Sequence, residues 1–249
     1  MVATFCLRLA AGLILMLPLL APAQIPPRFY RVHFLTALGL LAVAGFFLTD
    51  QATLAFWLMF TAATVGCVIG SIVWHLDGAP GGKWTIYLMP IALAACLIYG
   101  GMLQRGTADA PLRIADDVLA ALVIGSATTA MLMGHSYLIS PAMSISPLMR
   151  LLAAVGTAVI LRIALACFGL WEWTSSQSVS NPETELLLWL PVRWLLGLIA
   201  PLVLGWMAWE AARIRSTQSA TGILYVVVIV CFLGELTSQL LVEKTGFTI

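Results

Sequence analysis

From Ala52 to Trp74 the chain runs without a single charged side chain. As a helix, a run of this length rises about 34 Å, enough to cross the hydrocarbon of a bilayer, which takes roughly 20 apolar residues. In lipid, every backbone N–H and C=O must be satisfied within the protein, so such a run has one ordinary solution, a transmembrane helix. Seven further runs follow the same pattern, giving spans at 4–23, 31–49, 52–74, 85–103, 114–135, 148–171, 187–209 and 220–242. The rest of the composition agrees. Of 249 residues 61% are hydrophobic and 9% charged, whereas soluble domains carry about 25% charged side chains. The expectation is an all-α, polytopic transmembrane bundle of about eight spans in a single domain. Its natural partner is the lipid bilayer. A net charge of +1 offers nothing to nucleic acid.

The breaks between spans carry turn chemistry: Pro26-Pro27, the stretch Asp77 to Gly82, Gly106 with Asp109 and Pro111, Pro141 with Pro147, and Asn181-Pro182. Thr49–Gln51 is the shortest and makes spans two and three antiparallel neighbours. The first run ends in Ala21-Pro22-Ala23-Gln24, which has the form of a signal-peptidase site. Retention and cleavage predict opposite orientations. If the segment is a retained span with its N-terminus outside, Arg28, Arg31, Lys83, Arg150, Arg213 and Arg215 are cytoplasmic and only Arg105, Arg113 and Lys244 are external. The positive-inside rule favours that arrangement, N-out and C-out, in a bacterial inner or cytoplasmic membrane. The five cysteines, Cys6, Cys67, Cys96, Cys167 and Cys231, are scattered through apolar runs and read as small core residues.

Charge at membrane depth is costly and calls for a partner or a task. With this topology Arg162, Arg193 and Glu235 fall in the outer half of spans six, seven and eight, and Asp116 and Asp117 open span five on the same side. Two accounts fit: an ion-pair network that fixes packing, with Arg162–Glu235 as the obvious pair, or a polar pocket for a quinone, ion or substrate. Asp116 is the residue best placed to snorkel to water. The inner half holds all three histidines, His33, His75 and His135, and Glu210 ends span seven there. Imidazoles from two spans could ligate a haem b iron. A His beside a carboxylate could instead exchange protons with a quinone headgroup, and that or a structural role suits interfacial positions better. No metal-binding motif and no nucleophile–base pair is readable, so an enzyme acting alone is the least supported class.

The segment His75-Leu76-Asp77-Gly78-Ala79-Pro80 closing a span, and Gly234-Glu235 within the last one, resemble the quinol-handling anchor subunits of dimethyl-sulfoxide-type and polysulfide-type reductases. The resemblance covers about a tenth of the chain. It implies a membrane anchor of eight or more helices, in many members without haem of its own. The functional expectation is therefore an integral membrane subunit of a respiratory or electron-transfer complex, quinone-associated and in contact with other subunits. The alternatives are a structural or assembly subunit without chemistry of its own, and a small-solute or ion transporter.

Overall fold

The computed structural model describes residues 1–48, 53–76, 80–105, 110–140, 143–176 and 184–248, with backbone alone at 103–105, 110, 176 and 184–187. The helices are α1 (Val2–Leu15), α2 (Pro27–Phe47), α3 (Leu54–Val73), α4 (Gly82–Arg105), α5 (Ala110–Ile139), α6 (Ser146–Ser176), α7 (Thr184–Trp194), α8 (Ala200–Arg213) and α9 (Thr217–Thr245). A π-helical turn at Leu195–Ile199 joins α7 to α8 as one span. Eight rods are long and apolar enough to cross a membrane, and the described residues contain no strand. The protein is an all-α, multi-pass membrane bundle. The turn at Thr49–Gln51, Asp77-Gly78-Ala79, Gly106 with Asp109, Pro141, and Asn181-Pro182 lie outside the described residues.

Proline accounts for the two irregular spans. The first was expected to be helical to residue 23, but α1 ends at Leu15 and continues as a short 3-10 turn, Leu17–Leu19. Pro18 has no N–H to donate, and its ring collides with the preceding turn. Carbonyls at this break are used from outside the helix. The Tyr30 hydroxyl donates to the Leu20 carbonyl at 3.0 Å and Arg150 to that of Leu19 at 3.4 Å. In the seventh span Pro201 cannot donate to the Gly197 carbonyl four residues back, and the ladder widens there into the π turn. At the other extreme α5 runs on to Ile139, past the expected end of its span at residue 135. The last helix begins at Thr217 with Ser216 at its N-cap position, and no side chain caps it.

Packing follows chain order in two four-membered rings. In the first, α1 touches α2, α2 touches α3, α3 touches α4, and α4 returns to α1. In the second, α5 touches α6, α6 touches α8, α8 touches α9, and α9 returns to α5. The seam between the rings is chiefly α1 on α5. It is tight because it is made of glycine: a Cβ on Gly12 would come 2.9 Å from the Gly125 Cα, and one on Gly125 would run into the Gly12 backbone. A second backbone crossing pairs Gly197 of the π turn with Gly234 of α9. Without a hydrophobic drive between helices in lipid, such close approach supplies the packing. The α5 span is accordingly 67% buried. Cys6, Cys67, Cys96 and Cys231 are buried free thiols, while Cys167 faces outward, contrary to expectation.

Candidate functional site

Two polar constellations lie at opposite ends of the bundle. The first gathers Arg8 of α1, Asp116 and Asp117 of α5, Arg162 of α6, Arg193 of α7 and Glu235 of α9, all at most 3% exposed. Arg8 is its centre. Its Nε donates to Asp117 Oδ1 at 2.9 Å, one terminal nitrogen donates to Asp116 at 2.7 Å and also to Asp117, and the other to Glu235. Arg162 pairs with the Asp116 carboxylate, donates to the Asp116 backbone carbonyl at 3.0 Å and reaches Ser238 Oγ at 3.1 Å. Gln239 donates to Glu235 at 2.9 Å, and Arg193 donates to the Gly234 carbonyl at 3.3 Å.

The structure thus brings together Arg162, Arg193, Glu235, Asp116 and Asp117. It changes two of the expected details. Asp116 does not snorkel: it is 1% exposed and sits between two arginines. Arg162 and Glu235 are 3.6 Å apart, but the closer partner of Arg162 is Asp116. Arg8 escaped the sequence reading, and simple charge counting would have found it. Two arginines against three carboxylates leave one negative charge over, and Arg8 is the remaining cation inside a span at that end. With it, three guanidiniums face three carboxylates, so the group is formally neutral. Two voids adjoin the network, one against Asp117 and one between Arg162, Arg193 and Glu235, each about 10 Å³. That is room for one water apiece and for no organic substrate. What this arrangement does chemically is hold five helices in register, α1, α5, α6, α7 and α9.

The second constellation is a cavity of about 380 Å³ between the start of α2 and the end of α5. The α2 wall is Pro26, Arg28, Phe29, Val32 and His33; the α5 wall includes Leu132, His135, Ser136 and Ile139, with Ser140 and Met143 beyond it. It therefore opens on the seam between the two rings. Its size is that of a small-molecule site, mostly apolar with a few polar groups. Among the described residues no Asp or Glu lines it. His33 is fully buried, its Nδ1 lies 2.9 Å from the Phe29 carbonyl, and its Nε2 has no partner. A carbonyl only accepts, so Nδ1 carries the proton, and in the neutral ring Nε2 is a bare acceptor. Its neighbour Phe29 lies with its ring centroid 4.3 Å from the imidazole.

The remaining inner-half candidates stand apart. His75 meets Arg31, Nδ1 to guanidinium nitrogen at 2.9 Å. Glu210 faces Arg213 at 3.5 Å as an exposed ion pair. Neither lines the cavity. The two motifs that carry the resemblance to reductase anchors, at His75 and at Gly234-Glu235, thus stand at opposite ends of the bundle. Among the described residues no three His, Cys, Asp or Glu side chains form a metal-binding group. Compared with family models, with curated proteins and with solved structures, the chain has no significant match in any of the three.

Proposed function

We propose that this chain is an integral membrane subunit of an electron-transfer complex, in a bacterial inner membrane, and that it receives the headgroup of a lipophilic quinone. The observation that carries the reading is the cavity between α2 and α5, with His33 and His135 in opposite walls. Quinones reside in the hydrocarbon and present their ring at the interface, and an opening at a helix seam near the bundle end suits that route. The walls offer what such a ring requires. Phe29, Val32, Leu132, Ile139 and Met143 supply apolar contact, and Arg28, His135 and Ser140 supply polar groups for its oxygens. Electrons pass to or from redox centres on other subunits, so partner subunits belong to the proposal.

The test is to purify the protein with its native lipid, extract it with organic solvent and quantify quinone by chromatography. Near-stoichiometric quinone, lost when Leu132 is replaced by Trp to fill the cavity, is the expected result. Protein that carries no quinone and binds none when it is added back would refute the proposal.

A further inference from the structure

The cavity has two chemically unlike ends. Its outer groups, the Arg28 guanidinium and the His135 imidazole, are exposed and make no hydrogen bond to other described residues. An arginine can only donate. The deep group, His33, is the reverse. Its Nδ1–H is committed to the Phe29 carbonyl, which leaves Nε2 with a lone pair and no proton to give. A buried acceptor left without a donor is unfavourable by the full desolvation of that atom. It is relieved by a ligand hydroxyl and by nothing that is itself only an acceptor.

Resting on the quinone reading, we propose that His33 is the specificity-determining residue of this site and makes it select the reduced, hydroxyl-bearing quinol over the oxidised quinone. A quinol donates one hydroxyl to His33 Nε2 and sets its other oxygen against Arg28 and His135. A quinone presents a carbonyl at the same place, lone pair against lone pair, and is held by the outer groups alone. His33 is a wall residue with no exposed surface. The ligand therefore reaches Nε2 when a neighbour yields. Phe29, its ring tilted 40° to the imidazole at a centroid distance of 4.3 Å and part of the same wall, is that neighbour. Two features of the chain fix the polarity. The histidine lies four residues after Phe29 on α2, which places its ring against that carbonyl, and among the described residues no carboxylate lines the cavity to hold a second ring proton.

The experiment is equilibrium binding of decylubiquinol and decylubiquinone to the full-length protein in nanodiscs, kept anaerobic. One hydrogen bond of this kind gives the quinol a Kd about 5- to 10-fold lower. His33→Phe should bring the two values together by weakening quinol binding, leaving the quinone within about 2-fold of its original Kd. His33→Gln, which restores a donor as well as an acceptor, should bring them together by strengthening the quinone. It also serves if the Phe variant does not fold. Arg28→Gln should weaken both forms and preserve their ratio. If both forms bind equally, or if the preference survives both His33 variants, the selectivity assignment is overturned and the quinone site stands. If neither form binds, the quinone reading itself falls, and binding of phosphatidylglycerol in their place would assign the cavity to a lipid headgroup.

Discussion

Replacing Arg8 by Met is the sharpest test of the ion network. The side chain is 1% exposed and contacts all three buried carboxylates, Asp116, Asp117 and Glu235. Met fits the space but leaves three negative charges facing Arg162 and Arg193. Breaking a buried ion pair from one side costs about 3–5 kcal/mol, because the abandoned charge stays buried. At roughly 2–4 °C per kcal/mol for a chain of this size, the melting temperature in detergent should fall by about 6–20 °C. The physical cause is charge imbalance rather than lost volume, and a second change separates the two. Asp117→Asn added to Arg8→Met returns the network to two cations and two anions, and should recover at least half of the loss. Thermal unfolding followed by tryptophan fluorescence reads both variants. A fall below about 3 °C for the single variant, or a double variant less stable than the single one, would refute the electrostatic reasoning.

Other consequences can be checked with the same preparation. Gly12→Val places a side chain against the α5 backbone, where even a Cβ comes 2.9 Å from the Gly125 Cα, and should destabilise by about 2–3 kcal/mol. Gly39→Ala, with nothing within 4 Å of the added carbon, should be neutral or slightly stabilising by calorimetry. Glu210→Gln removes an ion pair whose side chains are 45% and 69% exposed, and should move the melting point by no more than the scatter of the assay. For orientation, cysteines placed singly at Lys83 and Lys244 in a cysteine-free background should differ toward a membrane-impermeant maleimide. Position 244 should react in intact cells and position 83 only after permeabilisation, and the reverse pattern would invert the proposed topology.

The spans were legible because lipid leaves a chain few options: length and the lack of charge suffice to place a helix such as α3. Their ends were less legible, since they depend on proline geometry in three dimensions. Pro18 stops α1 early, whereas α5 carries Gly134 and Ser136 through to Ile139 with its ladder intact. Depth along a span is one-dimensional, so all of the ion network except Arg8 could be grouped by counting from span ends. Rotation about the helix axis is not read that way. Counting therefore left Asp116 free to reach water, although its side chain points into the bundle. It also put His33, His75 and His135 at one level without showing that His75 faces Arg31 while the other two share a cavity. The glycine seam between α1 and α5 follows from pairing two distant spans, and no pattern within either run reports it.

The two constellations share a helix, and the contrast between them favours the cavity as the site of function. Asp117 and His135 are 18 residues apart on α5, about 27 Å along its axis. At the Asp117 end, opposite charges meet in equal number and the adjoining space admits single waters. A ligand arriving there would have to displace an ion-pair partner and leave a charge uncompensated in lipid, which is the costliest change available to this protein. At the His135 end, Arg28, His135 and His33 line a space of about 380 Å³, and the His33 Nε2 has no hydrogen-bond partner. Binding there completes interactions instead of breaking them. A neutral, closed network is what a bundle needs to keep α1 and α5 in register, and that register forms the opposite, open end, where α2 and α5 part to leave the cavity.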